Sequence, residues 1–62
     1  MRKEINHKTI EISRVSDTYF VNRFDNDRQK DTVFAEFTDY ALAYNYYSHL
    51  IDIEMEKMNY QF

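Results

Sequence analysis

Glycine, proline, cysteine and tryptophan are all missing from this 62-residue chain. At average usage of roughly 7% and 5%, a chain of this length would hold about four glycines and three prolines. Tight turns therefore fall to Asn and Asp, the other residues that tolerate positive φ. Without glycine there is no Gly-rich phosphate loop and no nucleotide fingerprint. Without cysteine there is no disulfide scaffold, thiolate zinc site or cysteine nucleophile, and a reducing cytoplasm is the expected setting. No apolar run approaches membrane-spanning length. The basic start, Met1-Arg2-Lys3-Glu4-Ile5-Asn6-His7, has no apolar run after it and does not read as a signal peptide.

What remains is rich in apolar and aromatic side chains. They make up 44% and 18% of the chain, led by six Tyr and five Phe, which argues for a folded domain despite 31% charged residues. Sixty-two residues make one small domain, of a size that buries only about 60% of its unfolded surface. The net charge is −3, unevenly spread. Residues 1–30 hold seven Lys/Arg and five Asp/Glu, whereas residues 31–62 hold Lys57 against six carboxylates. The carboxyl-terminal half is too acidic to grip phosphates and is suited instead to a basic partner surface.

Residues 38–60 read as one long helix. Its apolar seam, continued to the last residue of the sequence, is Tyr40, Tyr44, Tyr47, Ile51, Met55, Met58 and Phe62, at steps of three and four, and Ala43 and Leu50 join Tyr40, Tyr44, Tyr47, Ile51, Met55 and Met58 in the broad sector expected to cover the sheet. Thr38 suits the N-cap, Asp39 suits the positive end of the helix dipole, and Phe37 with Leu42 fit a hydrophobic staple. Before the helix, residues 8–37 alternate with period two. Lys8 to Val15 predicts a strand, Ser16-Asp17 a turn, Thr18 to Phe24 a second strand, Asp25 to Asp31 a polar loop, and Thr32 to Phe37 a third. Asn26 and Asp27 are the residues of that loop best able to take positive φ. Residues 1–7 are expected to fray, with Ile5 the one residue able to pin them down. The predicted fold is α+β: a three-stranded antiparallel meander with the helix across one face (β-β-β-α). A two-residue turn at 16–17, with Phe24 paired to Thr32, places Ile10, Ile12, Tyr19, Val21, Val33, Ala35 and Phe37 on the core face.

Two apolar surfaces are left over. Leu42, Tyr46, Ile53 and Tyr60, with His49 beside them, lie on the helix flank away from the seam and predict a homodimer interface. Phe20, Phe24 and Phe34 fall on the outer sheet face and predict a docking patch for a protein partner, where buried aromatic anchors carry most of the energy.

Candidate chemistry is sparse. Asp25, Asp27, Gln29, Asp31 and Glu36 match the ligand offsets of a calcium-binding EF-hand loop, but Lys30 stands where that loop needs glycine and no helix precedes it. His7 and His49 are too few for a zinc site, and Ser48 and His49, adjacent on a helix, point about 100° apart. The expectation is a chain with no catalytic residues, cofactor or metal. It would act as a binding protein of the kind that inhibits a host defence or nucleic-acid-processing protein, a setting common among phage products. Asp39, Asp52, Glu54 and Glu56 would offer a phosphate-like row of charge to a basic channel. The alternative is a nucleic-acid-binding regulator using Arg2, Lys3, Lys8, Arg14, Arg23 and Arg28.

Overall fold

The computed structural model describes residues 1–59. Four antiparallel strands form one sheet in the order β1 (Arg2–Ile5), β2 (Lys8–Val15), β3 (Thr18–Asp25), β4 (Lys30–Phe37), and α1 (Tyr40–Asn59) packs on one face. The α+β class and the terminal helix are as expected, but the sheet has four strands rather than three.

The additional strand is β1, formed by residues expected to fray. Ile5 pairs with Lys8 across a two-residue turn, Asn6-His7, in which both residues have positive φ, 54° and 62°. That is the type I′ pattern, whose twist matches antiparallel strands. Beyond the strand, Ile12 N–H donates to the Met1 carbonyl at 2.9 Å, extending the pairing by one residue. β1 carries no strand pattern in its sequence, because only Ile5 is apolar among its four residues. Its order comes from hydrogen bonds to β2 and from Ile5, which packs against the core, not from an apolar period.

The β2–β3 turn is Ser16-Asp17 as predicted, closed by the Val15–Thr18 pair, with Ser16 at φ 57°. The β3–β4 loop takes its positive φ at Gln29 (58°), not at Asn26 or Asp27. Asp25 organises this loop, its Oδ1 accepting the N–H groups of Asp27 (2.9 Å) and Arg28 (3.1 Å). These bonds, led by that from Arg28, hold the Asp25 carboxyl below its ordinary pKa. Phe24 pairs with Asp31 rather than Thr32, because a bulge at Thr32 shifts the register by one residue. The bulge is held from β3: Arg23 Nε donates to Thr32 Oγ1 at 2.9 Å, and Thr32 Oγ1 donates to the Arg23 carbonyl at 3.2 Å.

The bulge leaves the rest of the register intact, and the core lies on the expected face. Ile10, Ile12 and Val21 are buried, and Tyr19, Val33 and Phe37 pack around them. The helix, however, is rotated. Its buried line is Ala43, Tyr47, Leu50 and Glu54; the first three belong to the sector expected to cover the sheet, but the line lies at that sector's edge, about 70° round from the centre of the predicted seam at 100° per residue. Tyr40 and Tyr44 are 45% and 43% exposed, and Met55 and Met58 are exposed as well. Instead of choosing one apolar stripe, the helix sits between the two. Ile51 flanks the buried line on one side, and Tyr46 and Ile53 flank it on the other. Its N-cap is Asp39 rather than Thr38: Oδ1 accepts Ala41 N–H at 2.9 Å, and the Asp39 carbonyl accepts the first helical N–H, from Ala43. With the cap one residue later, Phe37 and Leu42 no longer occupy staple positions. Phe37 packs on Tyr46 instead, at 5.6 Å between rings.

Candidate functional site

The sheet face opposite the helix is the most distinctive surface. Cross-strand pairing sets its rows: Ser13, Phe20 and Glu36; then Arg2, Glu11, Asn22 and Phe34; then Glu4, Thr9, Phe24 and Asp31. Phe20 and Phe34 sit diagonally on β3 and β4 with ring centroids 5.6 Å apart, and Phe34 is 60% exposed. Phe20 and Phe24 are half-buried. The three phenylalanines predicted for this face are all on it, and the bulge brings Asp31 beside Phe24. Asp31 Oδ1 accepts Asn22 Nδ2–H at 3.1 Å, so the polar residues between the rings are tied together. A shallow depression of about 360 Å³ opens beside Phe24, bordered by Arg2, Glu4, Thr9 and Glu11.

The other notable cluster lies under the end of the helix. Glu54, expected in a solvent-facing acidic row, is 0% exposed. Its carboxylate takes Asn6 Nδ2–H at 3.0 Å and Arg23 Nη1–H at 3.1 Å, with Lys57 Nζ at 3.4 Å and Lys8 Nζ at 3.6 Å. Burial alone would push this carboxyl up, but the Asn6 hydrogen bond and the charges of Lys8 and Lys57 outweigh it and hold the pKa below the usual 4.5. The helix rotation and this cluster are one event. A glutamate can enter the buried line only because the inner sheet face supplies the cations, Lys8 and Arg23, that compensate its desolvation. Both lie one period-two step beyond Ile10 and Val21, so the core alternation, continued outward, would have located them. With no exposed surface, Glu54 cannot present its charge to a partner as the sequence suggests.

The remaining candidates are dispersed. Asp52 and Glu56 are exposed on the helix, while Asp39 is committed to its cap, so the phosphate-like row is interrupted. In the predicted dimer stripe, Leu42 and His49 are exposed, whereas Tyr46 and Ile53 pack within the chain; Tyr60 lies outside the described residues. The six basic residues of the alternative reading do not form one patch. Arg2 pairs with Glu4, Lys8 and Arg23 hold Glu54, Arg28 pairs with Asp25, and Arg14 bonds the Ser16 carbonyl and lies 6.0 Å from the Tyr19 ring.

Among the described residues, no three His, Cys, Asp or Glu side chains are grouped to hold a metal ion, and no helix is long and apolar enough to cross a membrane. The chain matches no protein-family model, no curated protein and no solved structure.

Proposed function

We propose that this chain is a non-enzymatic protein-binding module whose contact surface is the outer sheet face, centred on Phe20 and Phe34. The observation that carries the reading is the aromatic pair itself: two rings 5.6 Å apart, one of them mostly exposed, on a face with no covering layer among the described residues. Rigid aromatic rings fixed on strands lose little conformational freedom on binding and serve as anchors. An eight-residue strand spans about 26 Å and neighbouring strands are about 4.8 Å apart, so the face gives a footprint at the low end of specific interfaces. Most of the affinity must then come from the anchors. A module of this kind acts by occupancy, which makes inhibition of its partner the simplest biological effect. The face, not the helix, is the better candidate for that contact, since the helical acid row has lost Glu54 to the interior.

Phe34→Asp tests this directly. Because Phe34 is exposed, the variant should fold normally by circular dichroism yet retain at least tenfold less of the partner captured by the wild type from cells that express it. Equal retention by a folded variant would exclude the outer face.

A further inference from the structure

We infer that the outer face is built for an arginine-bearing segment of a protein partner; this rests on the binding-module reading above and names the chemistry of its ligand. The outward side chains of the paired strands include four carboxylates, Glu4, Glu11, Asp31 and Glu36, and one guanidinium, Arg2, for a net charge of −3. Arg2 is already taken by Glu4 at 3.4 Å. Among the described residues, Glu11, Asp31 and Glu36 have no cationic group within 4.0 Å. The aromatic platform is therefore rimmed by unneutralised negative charge.

The placement of that charge selects the occupant. Glu36 is the cross-strand partner of Phe20 and lies two residues along β4 from Phe34, so its carboxylate borders both rings. Glu11 lies on the other side of Phe20, opposite Asn22 on the neighbouring strand. A guanidinium laid flat on a phenylalanine ring gains from the ring's negative face, and its edge still presents paired N–H donors to a neighbouring carboxylate. An ammonium can make the charge contact but not the stacked, two-donor one. Nucleic acid meets the wrong sign of charge here. A second copy docking face to face would set −3 against −3, with like charges opposed across the two-fold axis.

The test is titration of the ¹⁵N-labelled protein with acetylated, amidated hexa-arginine, and with hexa-lysine, followed by amide chemical shifts. The inference expects shifts concentrated at Phe20, Asn22, Phe34 and Glu36, with hexa-arginine binding at least threefold tighter than hexa-lysine. Phe34→Ala and Glu36→Gln should each weaken hexa-arginine about fivefold, while Asp52→Asn on the helix leaves it unchanged; each variant's own spectrum reports whether it is folded. Equal binding of the two peptides, or equal effects of Glu36→Gln and Asp52→Asn, would show bulk charge attraction only and overturn the inference. Those outcomes are separable from failure of the module reading. If Phe34→Asp abolishes partner capture while the peptides show no preference, the face binds protein but not through arginine.

Discussion

At the scale of single residues, Glu54 has the largest consequence. A buried carboxylate with one amide and three cations around it is satisfied as it stands, but removing it leaves Lys8 and Arg23 facing each other under the helix. Loss of one partner from a buried ion pair costs about 3–5 kcal/mol; because Lys8 and Arg23 keep some contact with water, about 3 kcal/mol is expected for Glu54→Leu in urea unfolding. That is a large part of the roughly 3–9 kcal/mol available to a 62-residue domain. The same group sets an acid limit. Its folded pKa lies below the ordinary 4.5, so its stabilisation is complete above that value and is lost as pH falls through the lower folded pKa. Wild-type stability should drop over that interval, and the drop should be shallower in Glu54→Leu. Parallel pH profiles would contradict the assignment.

At the scale of elements, the turns show how a chain without glycine still makes hairpins. Asn6, His7, Ser16 and Gln29 all adopt positive φ with a Cβ in place. For an L-residue that conformation costs about 1–2 kcal/mol. Asn and His are both enriched there among residues other than glycine, but glycine, the preferred second residue of a type I′ turn, has no Cβ to clash. His7→Gly should therefore raise stability by about 0.5–1 kcal/mol, the strain relief being partly offset by added freedom of the unfolded chain. It would show as a Tm a few degrees higher. The exposed His7–Asp27 contact at 3.9 Å is too weak to reverse the gain. An unchanged or lower Tm would mean the turn is relaxed with histidine in place. The turns differ in how far the local sequence determines them. The two-residue loop at 16–17 was legible from strand alternation on either side, whereas the positive-φ residue of the β3–β4 loop depended on where the Thr32 bulge put the closing pair.

For the whole molecule, the central fact is that one helix with two apolar stripes settles between them on a four-stranded sheet. Tyr46 and Ile53 become part of the packing, and among the described residues the largest aromatic exposure is on the opposite face, at Phe34. Ile53→Asp separates this arrangement from a dimer seam. Placing a carboxylate against the core should lower stability by about 1–3 kcal/mol, equally at all protein concentrations. A destabilisation that grows on dilution of the wild type, and disappears in the variant, would instead indicate that the stripe joins two copies.

Local chemistry was enough to specify β2, β3, most of β4, the helix, the identity of the core face and the three phenylalanines on the other, because period-two and period-3.6 patterns act within a few residues of chain. It did not specify β1, the bulge, the helix rotation or the interior position of Glu54. β1 shows no apolar period because backbone pairing to Lys8–Glu11 orders it, the bulge depends on Arg23 on the neighbouring strand, and the helix rotation and the position of Glu54 depend on Asn6, Lys8 and Arg23, all far from Glu54 in sequence. A charged side chain appears solvent-facing until the fold brings opposite charges to it, and an apolar stripe appears surplus until the sheet's width determines how much of the helix it can cover.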